Sequence, residues 1–154
     1  GVEIEYKFNV VGEAWRAQAT AVEEIQQGFL SLDRDRVVRV RLKGDQGYLT
    51  IKGRAQGLRR AEYEYAIPAD EAREMLEHLV TGSVIHKRRH RIAAGDLVWE
   101  VDEFLGDNAG LIVAEIEVDR DDREFARPDW IAENVSDDPR YFNSNLATRP
   151  YKDW

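Results

Sequence analysis

The hexapeptide EIEYKF, from Glu3 to Phe8, alternates charged side chains with apolar or aromatic ones along its whole length. Successive side chains of a β-strand point to opposite faces of a sheet, so Glu3, Glu5 and Lys7 would share one face. The pattern therefore predicts a strand with one ionised face and one apolar face. A solvated outer face is the simplest explanation of such a strand. The rest of the chain decides between that explanation and an ionised interior.

The same alternation recurs in the segments RVVRVRLKG, YLTIKGR, RRAEYEYAIP, SVIHKRRHRIAAGDLVWEVDEFLG and GLIVAEIEVDR. A turn signal at Asp45–Gly47 separates the first two, and the fourth is long enough to form a hairpin that turns near Ala94–Asp96. With EIEYKF and the end of AWRAQATAVEEIQQGFLSL, these segments give about eight strands with short, mostly antiparallel connections. Such a pattern predicts an α+β protein whose strands form a closed barrel or a sandwich.

Helices are predicted between some of these strands. The segment ADEAREMLEHLV has an acidic first turn and places Ala72, Met75, Leu76 and Leu79 at three- and four-residue spacing, which is typical of an amphipathic helix. The start of AWRAQATAVEEIQQGFLSL and the stretch DDREFARPDW are predicted to be shorter helical regions. The apolar face of the sheet would need such helices to cover it.

Composition limits the class of protein. A chain of 154 residues without a recognisable linker is expected to form one domain, residues 1–154, with a buried core. The net charge of −8 argues against a general nucleic-acid-binding surface. The absence of cysteine excludes disulfides, a thiolate nucleophile and cysteine-ligated zinc. Apolar runs are too short for a membrane span or a secretory leader, so a cytoplasmic protein is expected.

The ionised faces are unusual because they carry same-sign doublets. Solvated faces usually mix Ser, Thr, Gln and Lys, whereas like charges two residues apart on one face repel each other. Any single doublet fits the solvated face of an antiparallel sheet, but the repetition argues against it. The acidic members are Glu3, Glu5, Glu62, Glu64, Glu100, Asp102, Glu115 and Glu117. The basic members are Lys7, Arg39, Arg41, Lys52, Arg54, Lys87, Arg89 and Arg91.

If helices cover the apolar face from outside, the ionised face turns inward and the sheet closes around a polar lumen. Clustered carboxylates in such a space need cations, and clustered Arg and Lys side chains need anions. Ligands that are all oxygen suit Mg²⁺ or Mn²⁺ better than zinc. Guanidinium and ammonium groups suit phosphate oxygens. This reasoning predicts a lumen that binds a polyphosphate together with a metal.

The ordered set of strand motifs resembles the CYTH domain, also called the triphosphate tunnel metalloenzyme family. EIEYKF is similar to its N-terminal E-x-E-x-K signature. The motifs RVR, TIK, EYE, KRR, EVD and AEIEV follow in the order expected of later strands. The tail RYFNSNLA at 140–147 is similar to the segment that ends many small bacterial members. The resemblance covers nearly the whole chain.

The resemblance implies an eight-stranded antiparallel β-barrel, a tunnel that encloses a triphosphate and one or two divalent cations, Mg²⁺ or Mn²⁺. The implied metal ligands are Glu3, Glu5, Glu115 and Glu117. Four carboxylates would hold a second ion through water or orient the attacking water: Glu62, Glu64, Glu100 and Asp102. The implied phosphate-binding residues are Lys7, Arg39, Arg41, Lys52, Arg54, Lys87 and Arg89, of which Lys7 would also contact the attacking water. Arg91 is expected in the lumen without an assigned role.

The implied activity is metal-dependent hydrolysis of a triphosphate, with inorganic tripolyphosphate as the preferred substrate and in-line attack by water. Alternatives on the same fold are an adenylate cyclase, a thiamine or nucleoside triphosphatase, and a non-catalytic polyphosphate-binding barrel. A β-domain with a solvated face is a further alternative. The expected partner is a small-molecule triphosphate, without nucleic acid or membrane. The oligomeric state stays open, with a homodimer among the alternatives.

Two residues depart from the family pattern. Many relatives have Arg where this chain has Tyr6, and the alternation predicts that Tyr6 faces away from the lumen, so an effect on packing is expected. Relatives often carry Lys near the position of Phe142, which leaves a basic contribution from the tail in doubt. The tail itself, residues 136–154, is expected to close or flank the tunnel.

Overall fold

The computed structural model describes residues 1–154 and contains nine strands. Their bounds are β1 Val2–Val10, β2 Ala21–Ser31, β3 Arg36–Lys43, β4 Gln46–Gly53, β5 Arg59–Ile67, β6 Thr81–Ala94, β7 Leu97–Phe104, β8 Ile112–Glu117 and β9 Ile131–Asn134. The α-helices are α1 Ala69–His78 and α2 Asn143–Leu146. Short 3₁₀ helices cover Ala14–Gln18, Gly106–Asn108, Pro139–Tyr141 and Tyr151–Asp153.

Eight of the strands form a closed antiparallel barrel in the order β5-β4-β3-β2-β6-β7-β8-β1. The barrel closes where β1 pairs with β5, through Val2–Ile4 and Arg59–Ala61. The ninth strand, β9, pairs with the other end of β1. The predicted fold class is therefore confirmed, with a barrel rather than a sandwich. None of the helices is both long enough and apolar enough to cross a membrane.

Two tight hairpins set the register of the barrel. The β6–β7 hairpin turns at the predicted place, with Gly95 at a φ of 65°. The β3–β4 hairpin turns at Gly44 and Asp45, and Gly44 has a φ of 57°. Glycine adopts positive φ without the steric cost of a Cβ atom, which fits it to both turns. The second turn lies one residue earlier than the predicted Asp45–Gly47 signal, because Gln46 already pairs with Lys43.

The apolar outer face of the barrel is covered in two places. Helix α1 packs Ala72 and Leu76 against Val40 and Leu42 of β3. A second cluster is covered mainly by the 3₁₀ helix Ala14–Gln18 and by the segment 119–131, and its buried members are Phe8, Trp15, Ile92, Trp99, Val101, Ala114, Ile116 and Trp130. Helices thus form only part of the outer layer.

The stretch DDREFARPDW is not helical, so that part of the sequence prediction is wrong. Pro128 disfavours helical backbone at the residue before it and removes an amide donor. Aromatic packing fixes this segment in an irregular conformation instead. Phe125 makes edge-on contacts with Tyr6 and Trp99, at ring-centroid distances of 5.2 and 5.7 Å.

The C-terminal tail packs across one end of the barrel interior. Phe29, Val37, Ile85, Phe104 and Val113 of the barrel form one buried cluster with residues that follow β9, namely Val135, Tyr141, Leu146 and Ala147. The amide of Ser83 donates a 2.8 Å hydrogen bond to the carbonyl of Ala147 and attaches the tail to β6. The tail therefore contributes both apolar and backbone contacts to this end of the barrel.

We expect Gly82→Ala to loosen the tail. Gly82 has a φ of 79°, and a Cβ atom there would lie 2.6 Å from the carbonyl oxygen of Ala147. Backbone strain alone costs about 1–3 kcal/mol, and the clash adds to it. Urea unfolding measures the loss of stability. Gly12→Ala is the matched control, since Gly12 also has positive φ (69°) but open space around its Cβ position. Equal losses in the two variants would contradict a role for the tail contact.

Candidate active site

The barrel encloses a cavity of about 280 Å³ lined by 25 residues, of which five are hydrophobic. The cavity is near the lower end of the size range of small-molecule sites. Most of the residues predicted for the site line it: Glu3, Glu5, Lys7, Arg39, Arg41, Lys52, Glu62, Glu64, Lys87, Arg89, Glu100, Glu115 and Glu117. The ionised face of the sheet is therefore an interior surface, which excludes the solvated-face alternative.

Cross-strand register brings the charged positions into pairs. Glu5 of β1 lies opposite Glu117 of β8, and Lys7 lies opposite Glu115. On the neighbouring strands β6 and β7, Arg89 lies opposite Asp102, and Arg91 opposite Glu100. Because the side-chain period of a strand is two, one register places the whole charged set inside the barrel.

Arg39 and Arg41 of β3 form the most unusual part of the lining. Each side chain is only 8% exposed, and neither forms an ion pair with a carboxylate. Arg39 donates one hydrogen bond to the hydroxyl of Thr50, at 3.2 Å, and its Nε has no partner. Arg41 donates through Nε to Oε1 of Gln27, at 2.8 Å. Burial lowers the pKa of both guanidinium groups. The positive charge of Arg89 lowers the pKa of Arg39 further, and the charges of Arg39 and Arg89 do the same to Arg41.

Lys87, Arg89 and Asp102 form a buried ionic cluster beside this pair. The carboxylate of Asp102 is fully buried and accepts from Nε and Nη2 of Arg89 at 2.8 and 2.9 Å, while Nζ of Lys87 lies 2.7 Å away. Burial acts to raise the pKa of Asp102, but Arg89 and Lys87 lower it below its ordinary value. Asp102 does not line the cavity. Its contacts therefore differ from the predicted ones: it binds the two cations, and both of its oxygens are occupied.

We expect Asp102→Asn to destabilise the protein strongly. The substitution leaves Lys87 and Arg89 buried without a full counter-charge, and breaking such a cluster costs about 3 kcal/mol or more. Urea unfolding monitored by tryptophan fluorescence measures the loss. Asp121→Asn is the control, because Asp121 pairs with Arg59 on the exposed surface, where ion pairs contribute little. If Asp102→Asn loses no more unfolding free energy than the control, Asp102 is not the buried counter-charge of Lys87 and Arg89.

The other half of the cavity is rich in carboxylates. Nζ of Lys7 lies 2.6 Å from Glu115 and 3.3 Å from Glu5. Nζ of Lys52 lies 3.1 Å from Glu3 and 3.4 Å from Glu62. Glu64 and Glu117 also line this half and have no ion-pair partner. The two ammonium groups are therefore outnumbered by carboxylates.

The surplus of negative charge affects proton binding. Burial raises the pKa of Glu5 to about 8, and the neighbouring carboxylates Glu115 and Glu3 contribute to the shift. Burial also raises the pKa of Glu117, with Glu3 and Glu100 as the nearby negative charges. Lys52 acts in the opposite direction on Glu3, whose pKa is lowered in spite of burial. A cation would relieve the repulsion that remains.

The donor set fits a hard divalent cation in its chemistry. The ligands predicted from the sequence, Glu3, Glu5, Glu115 and Glu117, all line the cavity and offer only oxygen, which suits Mg²⁺ or Mn²⁺. No three acidic or histidine side chains converge closely enough to surround one ion as they stand. The ammonium of Lys7 lies between two of the carboxylates, so a cation would compete with Lys7 for Glu5 and Glu115.

Arg54 does not lie where the sequence pattern predicts it. Strand β4 ends at Gly53, so the period of two that places Lys52 inside the barrel does not extend to Arg54. Its side chain is 63% exposed and lies 3.2 Å from Asp35, outside the cavity lining. Arg91 is partly exposed and donates to Glu100 at 2.6 Å without lining the cavity.

The structure also adds lining residues that the sequence reasoning missed: Gln27, Lys43, Arg60 and Asn143. Arg60 shares the strand period with Glu62 and Glu64, and this signal could have revealed it. Asn143 has no such signal, because it lies in the tail. Gln27 connects the barrel to the tail, because its Nε2 donates a 2.8 Å hydrogen bond to Oδ1 of Asn143. The same oxygen of Asn143 accepts from Nζ of Lys87 at 3.0 Å.

The two departures from the family pattern have different consequences. Tyr6 lies on the outer wall, as predicted, and packs against Phe8 and Phe125. Phe142 lines the cavity, and the tail residues beside it there, Asn143 and Ser144, are uncharged. The tail therefore adds no basic group to this part of the lining.

The chain matches the CYTH domain family model over residues 1–151. An inorganic triphosphatase of Acetivibrio thermocellus is 49% identical over 154 residues, which cover 100% of this chain and 98% of the relative. An inorganic triphosphatase of Nitrosomonas europaea is 34% identical over 150 residues, covering 94% and 96%.

Solved structures show the same fold. That of an inorganic triphosphatase has a TM-score of 0.63 at 30% identity and covers 94% of this chain and 93% of that one. A Hippeastrum protein, called a putative adenylyl cyclase with a dominant triphosphatase activity, has a TM-score of 0.62 at 14% identity, covering 77% and 80%. The second likeness concerns the fold alone.

Proposed function

The chain belongs to the CYTH domain family, and from that premise we propose that it is a metal-dependent inorganic triphosphatase that hydrolyses tripolyphosphate to pyrophosphate and phosphate. The observation that carries the proposal is the pair of buried guanidinium groups of Arg39 and Arg41 without carboxylate partners. Uncompensated buried charge is costly, so such a pair requires an anion. The two relatives named as inorganic triphosphatases support phosphate chains as the ligand.

The chain's own residues would bind the substrate in two ways. Arg39 and Arg41 would each present a planar fork to phosphate oxygens, as guanidinium groups do in phosphate sites. Lys87 and Arg89, held in position by Asp102, would neutralise further oxygens of the chain. Lys7 and Lys52 would contact the part of the substrate that lies nearest the carboxylates. Phosphoryl transfer depends mainly on such positioning and charge neutralisation.

Hydrolysis requires a water molecule in line with the phosphoanhydride bond that breaks. The water oxygen forms a bond to the terminal phosphorus, and the bridging oxygen leaves with its electron pair as part of pyrophosphate. The proton of the water would pass to a carboxylate of the acidic half, for which Glu62, Glu64 and Glu100 are the candidates that line the cavity. When bound by Glu3, Glu5, Glu115 and Glu117, a divalent cation would supply further neutralisation of phosphate charge.

The lining favours an inorganic chain over an organic triphosphate. Only five of the 25 lining residues are hydrophobic: Phe29, Val37, Ala55, Leu58 and Phe142. Phe29 and Val37 belong to the buried cluster that packs against the tail. Pockets for organic ligands are lined mainly by apolar side chains, whereas 20 of the 25 residues that line this cavity are not hydrophobic.

A phosphate-release assay over tripolyphosphate, pyrophosphate, ATP and thiamine triphosphate, each with Mg²⁺, Mn²⁺ or EDTA, tests the proposal. We expect release from tripolyphosphate with metal, little from the other substrates and none with EDTA. Cyclic AMP and pyrophosphate from ATP would identify a cyclase instead. Stabilisation by tripolyphosphate without phosphate release would identify a binding protein, since a ligand at 100 times its Kd adds about 2.7 kcal/mol.

A further inference from the structure

Arg60 is an arginine on β5 that lines the cavity. It belongs neither to the family's strand motifs nor to the residues proposed so far to bind substrate or metal. It lies directly opposite Glu3 of β1, at the junction that closes the barrel. Its Nε donates a 2.6 Å hydrogen bond to the carbonyl of Gly53. This bond fixes the plane of the guanidinium group and uses only one of its five N–H donors.

The terminal amino groups of Arg60 have no protein partner. No carboxylate lies within ion-pair distance of Arg60, although Glu3, Glu5 and Glu62 are near enough to act on it electrostatically. Those three carboxylates are bound by Lys7 and Lys52. The arginine therefore presents free donors to the cavity beside a region of negative charge that it does not pair with.

The neighbouring Arg59 shows the opposite arrangement. It points to the outer face of the same strand and donates through Nε to both oxygens of Asp121, at 2.9 and 3.1 Å. Of the arginines that line the cavity, Arg89 alone has carboxylate partners, whereas Arg39, Arg41 and Arg60 have none. Arg60 thus shares with the guanidinium pair the feature that indicates an anion site.

We propose that Arg60 is a further phosphate-binding residue, which contacts the end of the phosphate chain that lies nearest Glu3 and Lys52. This inference rests on the proposed function for the identity of the anion. A guanidinium group fixed through Nε can direct its two terminal amino groups at two oxygens of one phosphate. Arg60 would then bind phosphate in the carboxylate-rich half of the cavity, while Arg39 and Arg41 bind it in the other half.

Arg60→Gln and Arg59→Gln form a matched pair for the test. Calorimetric titration of each variant in the presence of Mg²⁺ with the imido analogue of tripolyphosphate, whose P–N–P bridges resist hydrolysis, gives Kd without turnover. We expect Arg60→Gln to raise Kd about 10- to 100-fold, the value of one or two charge-assisted hydrogen bonds. Its Kd should also depend less on ionic strength than that of the wild type, because one charge contact is missing. Arg59→Gln should change Kd by less than about twofold, as for a surface ion pair.

A purely structural role for Arg60 predicts a different outcome. In that case Arg60→Gln lowers the melting temperature of the ligand-free protein, while Kd and its dependence on ionic strength stay at their wild-type values, and the inference is overturned. Arg60→Lys replaces the glutamine variant in the test if that variant does not fold. Lysine keeps the positive charge and loses only the paired amino groups of the guanidinium. The inference requires an affinity for Arg60→Lys clearly below that of the wild type, and a wild-type affinity would overturn it.

Failure of the proposed function can be recognised separately. If the wild-type protein binds tripolyphosphate and releases no phosphate, the hydrolase proposal fails while the Kd comparison still decides the role of Arg60. If the wild type turns over tripolyphosphate and the Kd of Arg60→Gln equals the wild-type value, only the inference on Arg60 fails. If tripolyphosphate does not bind at all, both are overturned.

Discussion

Replacing Arg39 by methionine should remove most of the activity and, at the same time, make the ligand-free protein more stable. The guanidinium group of Arg39 is buried, repels Arg89 and has only the Thr50 hydroxyl as a partner. Loss of one electrostatic contact to the reacting group typically costs about 100- to 1,000-fold in rate. Replacement of a buried charge by an apolar side chain of similar size commonly adds about 1–2 kcal/mol.

Two measurements check this result: kcat/KM for tripolyphosphate, and urea unfolding without ligand. Arg36→Met is the control, because Arg36 is exposed, lies outside the cavity lining and pairs with Asp33. The control should leave both quantities almost unchanged. A variant at Arg39 that is less stable than the wild type, or equally active, would show that the guanidinium group has a structural partner and is not held ready for an anion.

Glu117→Gln should abolish metal-dependent turnover while the fold is retained. Glu117 lines the carboxylate half, has no cationic partner, and lies opposite Glu5 across the β1–β8 pair. Glutamine keeps the shape of the side chain and removes the charge that a metal would bind. A bound cation supplies several kcal/mol of charge neutralisation, so its loss lowers the rate roughly 1,000-fold or more. Repulsion from Glu3 and Glu100 is also relieved, so the ligand-free protein should be at least as stable.

The measurement is phosphate release over a Mg²⁺ and Mn²⁺ titration, together with calorimetric binding of Mn²⁺. Glu3→Gln should lose turnover and Mn²⁺ affinity in the same way, whereas Glu74→Gln on the exposed face of α1 is the control. Near-normal turnover in both Glu3→Gln and Glu117→Gln would overturn the metal assignment. Lost turnover with unchanged Mn²⁺ affinity would transfer these carboxylates from metal binding to another step.

The strand pattern predicted most of the strands and of the lumen lining, because a period of two is a local property that a closed sheet converts into an inside and an outside. The choice of a barrel over a sandwich came from the family resemblance. The prediction failed where the local pattern lost its structural basis. Arg54 keeps the period but lies beyond the end of β4. Asp102 keeps the period and lies inside, but its depth and its contacts with Lys87 and Arg89 depend on packing that no single segment encodes.

The parts that the sequence did not predict are governed by long-range contacts. Asn143 contacts Lys87 and Gln27 across more than 50 residues of chain, so its place in the cavity depends on how the tail folds back. The covering segment around Phe125 has the composition of a short helix, but tertiary aromatic packing and Pro128 determine its conformation. Local propensity is a weak guide where tertiary packing decides.

The closure of the barrel has a consequence for its mechanics. Strands β1 and β5 join through three residue pairs, whereas β3 and β4 share eight. Local opening is easiest where a structure has the fewest contacts. We therefore expect the barrel to open first at the β1–β5 pairing, the seam of the barrel. The middle pair of the seam is Glu3 and Arg60. A ligand that contacts both Glu3 and Arg60 would hold β1 and β5 together. Its release would weaken the barrel at the same place where the next ligand molecule binds.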